Sequence, residues 1–234
     1  MEAAPEEIQV YLDDMTAPGH VGLDVHNNFA ADSSLLPEYP GARPDDHVYR
    51  LTPEFYYGLT PALELGLYVL SSVDRGHATH VDGAKLRVKF VAPHDESRGV
   101  FWGVNVELGR SDRAVAVQPW NYEVKGIWGD RIGRWLVAFN VNGDASLSPH
   151  GGPATLEIDG KLAYGISRET QLGLETYSEL GALRSPGGLS GRSEMLYAAV
   201  DSTVKGVDVN AGIGRGLTTA SDGWVLKLIV GFHF

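Results

Sequence analysis

Residues 224–234, reading Trp-Val-Leu-Lys-Leu-Ile-Val-Gly-Phe-His-Phe, alternate with a period of two, which is the signature of an extended strand. Successive side chains of a strand point to opposite faces. Trp224, Leu226, Leu228, Val230, Phe232 and Phe234 therefore make one wholly apolar face, and Val225, Lys227, Ile229, Gly231 and His233 make the other. Such a strand, ending on an aromatic residue, fits two settings. In a soluble sandwich its apolar face meets a second sheet; in a transmembrane barrel it meets lipid. The rest of the chain has to discriminate.

Period-two runs bounded by turn residues occur twelve times, at about 20–31, 47–59, 62–72, 83–92, 100–110, 119–129, 134–143, 154–165, 171–181, 193–204, 207–216 and 224–234. The count is even, which puts both termini on one side, as in bacterial single-chain outer-membrane barrels. Connections alternate in length. Those after runs 2, 6, 8 and 10 are tight (Thr60-Pro61, residues 130–133, residues 166–170 and Lys205-Gly206), and the one after run 4, residues 93–99, is somewhat longer. Those after odd runs are mostly longer and rich in Gly, Ser, Asp and Pro, such as 32–46, 144–153 and 182–192. Short periplasmic turns and long extracellular loops give this asymmetry. The expectation is an all-β, 12-stranded antiparallel transmembrane barrel, an up-and-down meander over 20–234 with both termini periplasmic, preceded by a segment at 1–19.

The two parity classes differ in kind. One is nearly free of charge: Leu63, Leu65, Leu67 and Val69; Leu86 and Val88; Val104, Val106 and Leu108; Val137, Phe139 and Val141; Leu156, Ile158 and Leu162; Leu196, Ala198, Val200 and Val204. Its aromatic members fall at strand ends, with Phe90, Trp102, Trp128, Trp135, Tyr164 and Phe234 at periplasmic ends and Phe29, Trp120, Tyr122 and Trp224 at extracellular ends. Two aromatic rings with Leu and Val between them are the interfacial girdles of a membrane protein. A water-soluble core places its largest side chains mid-strand instead. The other class is polar: Asp24, His26, Glu54, Glu64, Lys85, Arg87, Lys89, Glu107, Glu123, Lys125, Glu157, Asp159, Lys161, Glu175, Glu179, Asp201, Asp208 and Lys227, with asparagines among them.

Composition agrees. No run of eighteen apolar residues is present, so a helical span is excluded, while a barrel hides its apolarity in alternation. Zero cysteines remove disulfides and thiolate chemistry, and a net charge of −11 argues against nucleic-acid binding. Met1 is followed at once by Glu2, Ala3, Ala4, Pro5, Glu6 and Glu7, and the expectation is that a targeting segment was removed and Met1 added for expression.

Three segments carry a family likeness. Residues 18–28, Pro-Gly-His-Val-Gly-Leu-Asp-Val-His-Asn-Asn, and 50–61, Arg-Leu-Thr-Pro-Glu-Phe-Tyr-Tyr-Gly-Leu-Thr-Pro, running into 63–68, Leu-Glu-Leu-Gly-Leu-Tyr, are joined by Lys85-Leu-Arg-Val-Lys-Phe90. Over about residues 18–108 the chain resembles the outer-membrane channel family named after the meta-pathway of phenol degradation. The resemblance implies a 12-stranded channel admitting small molecules, with no catalytic residues and no cofactor. The expected setting is the bacterial outer membrane, as a monomer among lipopolysaccharide and phospholipid, with small-molecule permeants, aromatic or otherwise organic, as its other partners.

Twelve strands lie between a filled eight-strand lumen and an open sixteen-strand one, so a narrow pore is expected. Lys85, Arg87 and Lys89 form a basic stripe; Glu175, Glu179, Asp201 and Asp208 lie half a barrel away. Either the opposed stripes create a transverse field, or each pairs with its neighbours (Glu64, Glu107, Glu123, Lys161) and merely keeps the lumen solvated. Inward Gly22, Gly58, Gly66, Gly103, Gly173, Gly212, Gly214 and Gly231 are expected to leave space. Inward Tyr56, Tyr68, Phe101, Tyr177 and Tyr197 either line an aromatic path or fill volume. The acidic stretch 2–19, with strand-like Ile8-Gln-Val-Tyr-Leu12, either narrows the lumen or is a periplasmic tail.

A lipid-modifying enzyme and an adhesin are the alternatives. Ser178 and Ser202 fall on the apolar face with no histidine beside them; His26 and His233 point inward; His20, His47, His77, His80, His94 and His150 sit in loops or at strand ends. A nucleophile without a base is a poor candidate. His77 and His80 with Asp74 or Asp82 could make a loop metal site, but loose loop histidines are mostly just solvated. No catalytic and no metal residue is assigned.

Overall fold

The computed structural model describes residues 7–95, 97–148, 151–183 and 192–234. Twelve strands run through them: β1 (Val21–Asp32), β2 (Tyr49–Thr60), β3 (Leu63–Val73), β4 (Thr79–Val91), β5 (Gly99–Ser111), β6 (Trp120–Ile132), β7 (Trp135–Ser146), β8 (Thr155–Gly165), β9 (Thr170–Ala182), β10 (Glu194–Val204), β11 (Val207–Gly216) and β12 (Trp224–His233). Each pairs antiparallel with the next, and β1 pairs with β12, so the sheet closes on itself as an up-and-down barrel. Closure satisfies the backbone of every strand and leaves no edge. The Phe234 N–H, just past β12, still donates to the Val21 carbonyl at 2.9 Å.

The turns explain the register. β10 and β11 are joined by Lys205 and Gly206 alone, at φ of 54° and 81°. Two central residues with positive φ match the twist of the strands they join. At the other end β4 begins at Thr79, four residues earlier than the period-two pattern indicates. Asp82-Gly83 resembles a turn in sequence but is an irregularity inside the strand, with Gly83 at φ 155° and the pairing with β3 slipping between Leu70 and Ser71. The β3–β4 connection is consequently short, five residues, although it lies at the long-loop end.

The outward residues are apolar and exposed, as lipid contact requires. Leu65, Leu67, Leu86, Val88, Val106, Phe139, Val141 and Leu162 all show a third or more of their surface. At the short-turn end Phe90 meets Trp102 at 5.8 Å between ring centroids, Trp128 stacks on Phe139 at 5.9 Å, and Trp135 meets Tyr164 at 4.8 Å. At the long-loop end Trp120, Tyr122 and Trp224 point outward, with Arg215 lying 5.0 Å over the Trp224 ring, while Phe29 packs edge-on to His47. Sequence reading passed over the outward Phe55 and Tyr57, which extend the lower ring past Phe234.

The inward glycines do not leave space, contrary to expectation. The Tyr56 ring lies on Gly22 and the Tyr197 ring on Gly214, and a Cβ at either glycine would collide with the ring. Arg87 covers Gly66, Lys227 covers Gly212, and Val91 packs on Gly103. Gly22, Gly66, Gly212 and Gly214 are seats for large inward side chains, so a bare position in sequence marks a filled position in the lumen.

Candidate functional site

The candidate site is the lumen, and its centre is occupied by the chain's own N-terminal segment. Tyr11 is 1% exposed. Its N–H donates to Asn140 Oδ1 at 2.6 Å and its carbonyl accepts from Asn140 Nδ2 at 3.0 Å, so Asn140 of β7 treats the segment as a further strand. The Tyr11 hydroxyl shares a 2.5 Å hydrogen bond with that of Tyr68, and the ring lies 4.3 Å from Lys125 Nζ, 5.4 Å from Lys89 Nζ and 5.7 Å from the Arg87 guanidinium carbon. Three cations around one ring explain how an aromatic side chain sits among charges. Ile8 and Val10 pack with Phe101, Leu136, Tyr177 and Tyr197 in the same cluster. Further along, the Thr16 N–H donates to Glu64 at 2.8 Å and Lys89 Nζ to the Asp14 carbonyl at 2.8 Å. Gly58 lets the backbone of Thr16 and Ala17 lie against β2, where any Cβ would collide with it.

The expected inward charges all face the lumen, but as two networks drawn from neighbouring strands rather than two opposed stripes. Arg87 Nη2 reaches Glu64 at 2.5 Å and Glu54 at 2.8 Å; Glu54 faces His26 at 3.4 Å; Lys85 lies 3.7 Å from Glu107, and Lys89 lies 3.8 Å from Asp14. On the far wall Lys161 holds Glu175 at 3.1 Å and Asp201 at 2.8 Å, and Lys227 pairs with Glu175 while donating to the Ile8 carbonyl at 3.2 Å. Asp208 pairs with His233 at 2.6 Å, Asp24 accepts from Tyr56 at 3.0 Å, and Lys125 reaches Glu123 at 3.2 Å. Each stripe is thus neutralised next door, which removes the source of a field across the pore. Glu157, Asp159 and Glu179 line the long-loop vestibule.

Two cavities flank the N-terminal segment. Towards the short turns a space of about 380 Å³ is lined by Tyr11, Asp14, Arg87, Lys161, Asp208 and His233, among others. Towards the long loops a space of about 120 Å³ is lined by Glu7, Lys85, Glu123, Lys125, Asp159 and Glu179, among others. It shares Asn121, Asp144, Glu157 and Glu179 with a wider hollow of about 510 Å³ under the loops. Gln9 borders both flanking cavities. The first loop leans over this end, where Arg43 donates to Ser72 at 2.7 Å and to Asp82 at 2.9 Å.

Sequence reasoning missed a latch. Asp13, 5% exposed, pairs with both terminal nitrogens of Arg131 and accepts from His94 at 2.6 Å. Burial pushes the Asp13 carboxyl up, but the hydrogen bonds from Arg131 and His94 outweigh it and hold it below the usual carboxylate range. Burial likewise pushes His94 down, while its bonds to the Ala92 carbonyl and Asp13 raise it overall. A lowered acid contributes above its free value and loses that contribution as pH falls through the lowered one. A raised base contributes below its free value and loses that as pH rises through the raised one. Both contributions are complete only between about pH 4 and 6.5. Leakage through the lumen in planar bilayers should accordingly be least in that window and rise on both sides. His94→Ala should abolish the alkaline rise alone, and an alkaline rise that survives the substitution would remove His94 from the latch.

The loop residues His77, His80, Asp74 and Asp82 do not bring three ligand atoms together among the described residues; His80 pairs with Asp74 at 2.8 Å, and Asp82 is held by Arg43 and Ser72. Among the described residues one group, Glu7, His26 and Glu54, brings potential ligand atoms within 4.8 Å of one another, with Arg87 at 2.8 Å from Glu54 as counter-charge. Ser178 donates to Glu194 at 2.6 Å and Ser202 pairs with Thr170 at 3.0 Å, so neither hydroxyl is bonded to a histidine. His150 and the acids Glu2 and Glu6 lie outside the described residues.

A closed barrel with an apolar belt, aromatic girdles and a charged, hydrogen-bonded lumen defines the class of small outer-membrane porin-like barrels. No family model and no curated protein matches the sequence. Solved structures match the fold. The KdgM porin aligns with a TM-score of 0.63 at 9% identity, over 91% of this chain and 99% of that one. An outer-membrane channel from Pseudomonas putida F1 aligns at 0.63 and 14%, over 97% and 100%. The NanC porin aligns at 0.56 and 10%, over 89% and 97%. At these identities the likeness is one of fold.

Proposed function

We propose that the chain is an outer-membrane channel for small polar or organic solutes, of the kind its early strands resemble, whose lumen is closed at rest by residues 7–19. The orientation follows from loop length, with the short turns and both termini in the periplasm and the long loops outside. The observation that carries the reading is the Tyr11 anchor, which stands between two polar vestibules and is held by side chains of β3, β4, β6 and β7. An adhesin or a purely structural barrel has no use for vestibules on both sides of a removable segment. The KdgM porin has been solved in complex with disordered oligogalacturonate, an acidic oligosaccharide. The vestibules here carry many carboxylates of their own, so such a cargo is not matched.

Deleting residues 2–16 and measuring liposome swelling with a panel of sugars, amino acids and aromatic acids tests the reading. Faster swelling than with the full chain is expected for at least one class. Equal, negligible swelling in both proteins, with the barrel still folded, would refute the channel.

A further inference from the structure

The outer vestibule holds an arrangement that packing does not account for. Glu107 stands directly opposite Glu123 across β5 and β6, Glu123 opposite Asp144 across β6 and β7, and Glu157 opposite Glu179 across β8 and β9. Like charges in direct cross-strand register destabilise a sheet. The small outer cavity is lined by six carboxylates, Asp144 among them, and only two ammonium groups, Lys85 and Lys125. Those two lie towards β5 and β6, near Glu107 and Glu123.

The wall formed by β7 and β8 is different. Asn142 and Asp159 are each 2% exposed and both line the cavity. Asn142 Nδ2 donates to Asp159 Oδ2 at 2.8 Å, which orients the pair. The remaining oxygens, Asn142 Oδ1 and Asp159 Oδ1, are buried and have no donor among the described residues. Glu157 precedes Asp159 by two residues on the same face of β8. Two buried oxygen acceptors side by side, next to a further carboxylate, lack a donor. An all-oxygen set with no sulfur and no imidazole suits hard cations and ammonium groups.

We propose that Glu123, Asn142, Glu157 and Asp159 form a cation-binding site in the outer vestibule, and that the solutes admitted are small cations. The second half rests on the channel reading above; the first half does not. The shared chemistry is a compact positive charge accepting several oxygens, carried by a divalent metal ion or by an organic ammonium group.

The test is a calorimetric titration of the full chain, folded in detergent at pH 7.5, with calcium chloride in one arm and ethylenediammonium chloride in the other. Binding in at least one arm is expected, with Kd on the order of 10⁻⁴ to 10⁻³ M if the ion is calcium. The double substitution Glu157→Gln with Asp159→Asn should weaken it at least about tenfold. Asp159→Asn alone, nearly isosteric, serves if the double variant fails to reach the heat-modifiable folded band on gels, and should weaken it in the same direction. Calcium alone identifies a metal site, ethylenediammonium alone an organic-cation site, and both together a general cation site. No binding in either arm, as when protons occupy the carboxylates instead, overturns the proposal, as does affinity unchanged in the variant. Reversal potentials in a potassium chloride gradient, measured with residues 2–16 deleted so that the lumen is open, then separate the two halves. Cation preference lost in the variant supports cation uptake, anion preference overturns it, and absence of any current counts against the channel reading while the titration still decides the site.

Discussion

Tyr11→Ala should open the lumen. The ring is almost fully enclosed, its hydroxyl is bonded to Tyr68, and Lys125, Lys89 and Arg87 surround it. Losing a buried aromatic ring costs about 3–5 kcal/mol. Here the loss falls on the docked state of the segment, because the strands keep their own ladders. A shift of that size changes the docked-to-undocked ratio by more than about a hundredfold. Conductance in planar bilayers should therefore rise towards that of the protein lacking residues 2–16, while the folded band on gels persists. Conductance identical to that of the unaltered protein would mean that Tyr11 does not hold the segment.

Arg87→Met should be the most damaging single change within the barrel wall. Arg87 is 5% exposed, fits over Gly66, and answers two carboxylates, Glu54 and Glu64, that are themselves 2% and 4% exposed. Removing one partner of a buried ion pair leaves the others uncompensated and costs about 3–5 kcal/mol. The midpoint of urea unfolding from lipid vesicles should fall accordingly. Adding Glu64→Gln should restore part of the loss, because it removes one of the stranded charges. Arg87→Lys should lie between, since a single ammonium cannot serve two carboxylates as the guanidinium fork does. A midpoint unchanged by Arg87→Met would show that water reaches and solvates these carboxylates.

Much of the barrel was legible because its determinants are local. The period-two run at Lys85–Phe90 places three cations on one face and Leu86, Val88 and Phe90 on the other, and this needs no knowledge of the neighbouring strands. Trp102 and Trp128 could be put on the same rim from turn lengths alone, and they do face each other across β5 and β6. The edges were less legible. Asp144 reads as loop, but β7 continues to Ser146 and turns it into a lumen residue opposite Glu123. The period-two pattern of β4 starts only at Gly83, four residues late, because the bulge there interrupts the alternation.

What no sequence pattern could supply is the partner of each inward residue. Asp13 and Arg131 are 118 positions apart, Lys227 and Ile8 219. They meet because closure folds twelve strands around one axis and a segment before the first strand runs inside them. The glycines show the same limit, since an absent side chain says nothing about which ring occupies the gap. That the sheet has a lipid face and a polar face could be read from the chain alone, because alternation is a property of each strand. That the polar face encloses a segment of the same chain, and that its charges find partners on adjacent strands, was settled by the closed fold. Those are properties of which side chains closure brings within a few ångströms.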